Sequence, residues 1–268
     1  MGMRPCQIVY LEVMIIVKKN SVEKKNSDDD ADESMHSNRH FYGKHCAIAF
    51  AAILLYAIFY NTWENWDPEM ARWKAVGDSA FILLWTSMMI GPSVKLKPAL
   101  KSLLIWRRTI SIWAALMMSL HAYLILDGWA RWTIDGLLGY QKLPEFSEPV
   151  LLQPGFGIAN IIGLVALSIA LLLLAISSDR AMKWLGSGSW KRLQNLSKTV
   201  YILVVIHMFY FVTMHYDFSL YGLAFDKGIP EANPHTNLFI LLIIIHLVIA
   251  IWAFINTVMG KKRITNKF

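Results

Sequence analysis

Cysteine is nearly missing from this chain of 268 residues: Cys6 and Cys46 are the only two. That scarcity excludes a cysteine-ligated iron–sulfur cluster, a C-x-x-C-H haem attachment site and a disulfide framework. Phosphate-cradling loops are missing too, since neither G-x-G-x-x-G nor G-K-[ST] occurs, so nicotinamide or flavin chemistry would have to come from another protein. Charge is scarce: Asp, Glu, Lys and Arg make up 17% of the residues against 56% hydrophobic, where a soluble globule carries about 25% and roughly 45–50%. The charge that remains leans one way, with 26 Lys and Arg against 19 Asp and Glu and a formal net charge of +7. An excess of this kind can mark a nucleic-acid binder, but here it sits in short clusters between long apolar runs, as the positive-inside rule produces. The expected partner is membrane lipid, not nucleic acid.

A bilayer core takes about 20 apolar helical residues to cross. Six segments qualify: 45–61, 78–94, 107–126, 157–177, 199–216 and 237–259. The fold class expected is an all-α integral membrane protein, a six-transmembrane-helix bundle. Of the 26 Lys and Arg, 21 fall in the N-terminal segment, the second–third and fourth–fifth connections and the C-terminal tail. These lie on one side if the spans alternate, so both termini are expected in the cytoplasm. Trp63, Trp66, Trp73, Trp129 and Trp132 then form an outer aromatic belt, and Trp106, Trp184 and Trp190 an inner one.

Residues 1–44 are different material. The apolar stretch 6–17 is too short to span and is interrupted by Glu12, with no small-residue cleavage site after it, so it does not read as a signal peptide. The polar, aperiodic run after residue 17 is expected to be disordered. The domain reading is a cytoplasmic tail over 1–44, a transmembrane domain over 45–260 and a basic tail over 261–268.

Ionisable side chains at membrane depth are costly and each needs a reason. The spans hold His45, Asp78, His121, His207, His215 and His246, while His235 falls in a loop. Imidazoles without carboxylate neighbours make a poor proton relay, but two of them on separate helices at similar depth suit an axially ligated b-type haem. His121 lies about 21 Å along its helix from Arg107, and His207 about 14 Å from Lys198, at ~1.5 Å per residue. Tilt can level those depths. The other reading of either residue is an interhelical hydrogen-bonding group. His246 has no obvious mate, and His215 lies close to the surface.

Two blocks carry a resemblance. Arg107-Arg108, Trp113 and His121 form an R-R-x-x-x-x-W-x-x-x-x-x-x-x-H pattern. Ser177-Ser178-Asp179-Arg180, Leu185-Gly186, Trp190-Lys191-Arg192-Leu193 and His207 form the second, with 17 residues from the tryptophan to the last histidine. Together, over roughly residues 78–216, they resemble the ferric reductase-like transmembrane family, closest to its MsrQ branch, the haem-binding membrane subunit of a bacterial methionine sulfoxide reductase system. The resemblance implies that His121 and His207 hold the outer haem b. It implies for Arg107 and Arg108 a place at the cytoplasmic end of the third helix, where they would pair a haem propionate or an anionic donor, or anchor the helix at the headgroups.

The chain departs from the family at three points: Ser111 replaces a glycine, the loop before Trp190 is one residue longer, and Gln194 stands where the family has a histidine for a second, inner haem. An amide is a feeble iron ligand beside imidazole, so one haem is the count expected. Ala114, Met117, Met118, Val204, Met208 and Phe211 are the candidate porphyrin walls. The resemblance implies an electron-transfer subunit in a bacterial inner membrane. Its donor would be separate, a quinol or a flavin reductase on the basic loops, and its acceptor a periplasmic molybdopterin reductase or ferric iron. The alternative is a non-redox scaffold or transport subunit that keeps the fold without haem.

Overall fold

The computed structural model describes residues 41–63, 66–151, 155–215 and 234–265. Contacts divide the chain into Met1–Ala47 and Ile48–Phe268. Among the described residues the first unit supplies only the opening turns of helix α1, Phe41–Thr62, where the Phe41 ring lies 4.5 Å from that of His45. The tail expected over residues 1–44 therefore lies outside the described residues except for its last four, which are helical.

The second unit is a helical bundle. Helix α2 (Pro68–Leu96) starts where a helix should: Pro68 takes the first turn, and the Asp67 carboxylate accepts from the backbone N–H of Glu69 at 2.9 Å and of Met70 at 3.2 Å. A 3-10 turn over Pro98–Leu103 leads into α3 (Leu104–Asp127). The long connection after it is built, not loose. Helix α4 (Ile134–Leu138) is capped by Thr133 and ended by Gly139 at φ 89°, and strand β1 (Tyr140–Gln141) pairs antiparallel with β2 (Val150–Leu151), Tyr140 opposite Leu151. Helix α5 (Phe156–Ala175) is followed by two short helices, α6 (Asp179–Leu185) and α7 (Ser187–Gln194), in what the sequence reads as a basic turn. Helix α8 (Ser197–Phe209) runs on through a π turn, Tyr210–Met214, and α9 (Thr236–Thr265) completes the described chain. α9 continues past residue 260, where the sequence reading begins a tail.

Six of these helical stretches are long and apolar enough to cross a membrane. α2 packs along α3, α5 along α8, and α9 against α2; contacts of α3 with α5 and of α2 with α8 close the arrangement. Half of the apolar window of α2 is buried, against 11% in the first and last spans, which makes α2 the central helix. The outward faces stay apolar: Ile161, Leu241 and Ile251 are each about half exposed. Water would not tolerate such a surface around a bundle this size, and lipid does.

The second span begins ten residues before Asp78, where the sequence reading starts it, and so takes in Arg72, Lys74 and Asp78. The helix absorbs the last two because partners surround them. Trp63 is fully buried and its indole N–H donates to Asp78 Oδ2 at 3.0 Å; His235 Nδ1 lies 3.1 Å from the same oxygen, and His235 Nε2 shares a 2.8 Å hydrogen bond with Thr62 Oγ1. His235, assigned to a loop from sequence, is thus a buried partner that ties the end of α1 and the start of α9 to α2. Trp85 adds a second tie, its indole N–H donating to Leu242 O at 2.8 Å. Replacing Trp63 by Phe removes one donor from a buried carboxylate; the expected loss is about 1–3 kcal/mol, read as a lower melting temperature of the detergent-solubilised protein.

Candidate cofactor site between paired helices

His121 sits on α3 and faces α2. Its Nδ1 lies 2.8 Å from the carbonyl oxygen of Trp73. A carbonyl only accepts, so Nδ1 carries the proton and Nε2 is left with its lone pair, the tautomer a metal requires. The ring comes this close because the next turn of α2 presents Gly77: a Cβ there would lie 2.8 Å from His121 Cε1 and 2.9 Å from Nδ1.

His207 repeats the device on α8. Its Nδ1 lies 2.7 Å from the Ala159 carbonyl of α5, and a Cβ on Gly163 would lie 2.7 Å from Nδ1. In both cases histidine and carbonyl are 48 residues apart in sequence, although the sequence shows no repeat.

Both imidazoles line one cavity of about 220 Å³. Its walls correspond in pairs under a shift of 86 residues, the separation of His121 and His207: Gly77 with Gly163, Met118 with Val204, Ala122 with Met208, Ile125 with Phe211. Two helix pairs, α2/α3 and α5/α8, thus present equivalent faces to a shared space. The lining is mostly apolar; its ionisable members besides the two ligand candidates are Lys74, Asp78 and His215. The π turn after His207 belongs to this wall, bringing Phe211 and Val212 into the lining, with the Phe211 ring 4.9 Å from that of His207. Wide turns of this sort recur at functional positions.

Of the expected porphyrin walls, Met118, Val204, Met208 and Phe211 line this cavity; Ala114 belongs to a second one, and Met117 lines neither. His215 faces the first cavity, whereas His246 stacks on Tyr201 at 4.5 Å outside both. The second cavity also takes Arg107, Arg108 and Gln194, so the structure does not bring the arginines to the histidine pair. Arg108 is engaged: it donates to Asp179 Oδ1 at 2.7 Å and to the Ser177 carbonyl, fastening α3 to the start of α6. The same 86-residue shift sets Arg108 opposite Gln194, and the Gln194 amide nitrogen is buried without a hydrogen-bond partner. Guanidinium and amide are no substitute for two imidazoles, so the second cavity does not suit a haem. Met118 lines both cavities and is shared between them.

Among the described residues no three His, Cys, Asp or Glu converge on a metal position. Two imidazoles lining one cavity fit an ion whose remaining ligands come from a macrocycle. The sequence reading found the two histidines but not Trp73, Gly77, Ala159 or Gly163. Glycine recurring within apolar spans was the available signal.

An alanine in place of glycine inside a helix ordinarily stabilises by about 1 kcal/mol. Gly77→Ala and Gly163→Ala are expected to reverse that sign, because the new methyl meets a ring held by its own hydrogen bond; thermal unfolding in detergent reads the difference. Compared with known proteins, the chain matches no family model, no curated protein and no solved structure.

Proposed function

We propose that the protein is a membrane b-type cytochrome, an electron-transfer subunit resembling the ferric reductase-like family, with one haem b held by His121 and His207. The observation that carries this reading is the duplicated device: two imidazoles, each oriented through Nδ1 by a backbone carbonyl, each laid against a glycine, and both lining one apolar cavity. A plain interhelical hydrogen bond explains either histidine alone, but not why both leave Nε2 unprotonated in a shared space. The haem, when bound, supplies one-electron redox chemistry at iron. The chain's part is to fix both ring orientations, to exclude water with Met118, Val204, Met208 and Phe211, and to leave the iron in a low-dielectric setting that tunes its potential.

In this reading the end carrying Lys95, Lys101, Arg107 and Lys191 faces the cytoplasm of a bacterial cell, both termini lie there, and electrons move towards the tryptophan-rich end. The donor is a separate quinol or flavin reductase. The second cavity supports that direction, since it lies at the basic end and adjoins the first through Met118. The acceptor is a periplasmic molybdopterin reductase or ferric iron.

Protein purified from haem-replete cells is expected to show a reduced-minus-oxidised b-type spectrum with about one haem per chain. His121→Ala and His207→Ala each abolish it, and His246→Ala leaves it intact. A colourless preparation would favour a scaffold or transport subunit and overturn the cytochrome reading.

A further inference from the structure

The haem reading assigns no ligand to the second cavity, whose lining is lopsided. It measures about 470 Å³, within the range of small-molecule sites. Its inner walls are hydrocarbon, supplied by Leu84, Met88, Ala115, Met118 and Leu173. Its charged members are Arg107, Arg108 and Lys191, with no Asp or Glu among the described lining. Several polar groups of that lining are spent inside the protein. Arg108 is taken by Asp179 and the Ser177 carbonyl, and Ser111, Ser177 and Trp190 each donate to a backbone carbonyl. Two donors are not spent. The Gln194 amide nitrogen is buried without a partner, and among the described residues no carboxylate or carbonyl pairs with the partly buried Arg107 guanidinium.

The chemistry of an occupant follows from these two groups. A neutral acceptor such as a quinone carbonyl would satisfy the amide but leave the guanidinium charge uncompensated in a partly desolvated position. An oxyanion accepts from both. A small free anion, in turn, would leave the apolar walls wetted, which costs free energy in proportion to their area. Arg107 and Met118 are 11 residues apart on α3, about 16 Å along its axis at ~1.5 Å per residue. The lining thus passes from a cationic mouth to an apolar floor. We propose that this cavity holds an anionic phospholipid, its headgroup oxyanion on Arg107 with Gln194 as second donor and an acyl chain against the inner walls. Such a lipid lies between helices and not around them, which distinguishes Arg107 from a residue that merely anchors α3 at the headgroups. The inference does not use the haem.

The full-length protein, purified in a non-ionic detergent, is offered phosphatidylglycerol and phosphatidylcholine with identical acyl chains, and the lipid retained per chain is counted by native mass spectrometry. Wild-type protein is expected to keep about one phosphatidylglycerol and to prefer it about tenfold, the scale of one hydrogen bond to a charged group. Arg107→Gln removes the preference and Arg107→Lys retains it. Lys101→Gln, at an exposed lysine outside the cavity, leaves it intact. Ala170→Leu, which fills the cavity and spares its cations, lowers retention. Equal retention of the two lipids by wild-type protein, which requires no variant to fold, overturns the inference. So does a preference that survives in Arg107→Gln, displacement of the lipid by an excess of inorganic phosphate, or a retained mass that proves to be a neutral quinone.

Discussion

Two hydrogen bonds govern the rest of the architecture: imidazole Nδ1 to a helical carbonyl at Trp73 and again at Ala159. A carbonyl inside an α-helix is already bonded to the N–H four residues on, and its second lone pair is usually hidden by side chains. It becomes reachable only where the neighbouring turn carries no side chain. Each histidine therefore demands a glycine on the facing helix, and each glycine demands close packing of the two helices. The pairs α2/α3 and α5/α8 follow from that demand, and the cavity is what remains between two such pairs.

The bilayer imposes a second constraint, on charge. The buried part of the bundle admits Asp78 and Lys74 inside a cage of indoles from the α1–α2 connection and an imidazole from the residue before α9. This polar cluster holds together elements far apart in sequence. Removing any one partner would strand a polar or charged group in a low-dielectric setting, where its desolvation costs more than the lost hydrogen bond contributed. At the opposite end the same economy operates with less at stake, since Arg108 and Asp179 pair at an exposed surface.

Much of this was legible in the sequence. Hydropathy and the placement of Lys and Arg located six spans, and the histidines at membrane depth announced themselves by their rarity. The start of α2 was hidden because Arg72, Lys74 and Asp78 lower local hydropathy, and the burial of Asp78 depends on Trp63 and on His235, which is more than 150 residues away. The acceptors of the imidazole protons were hidden for a different reason: they are backbone atoms, and no residue type encodes a carbonyl. Arg107 and Arg108 share a short motif with His121, yet several helical turns separate them, and adjacency in a motif concealed their separation in space. The correspondence between the halves is faint in the sequence because it preserves residue type only at a few positions, such as Gly77 with Gly163 and His121 with His207, while Met118 answers to Val204 and Lys74 to Asn160.

The division of one imidazole pair between two matching halves bears on biogenesis. A nascent chain that has emitted α2 and α3 already holds an oriented imidazole, but its opposite number is not made until α8 is complete. No truncated product can clasp a metal from both sides. On the haem reading proposed above, cofactor capture would thus come late in synthesis and report that every intervening segment has been threaded in the correct sense, so that colour would certify a finished insertion.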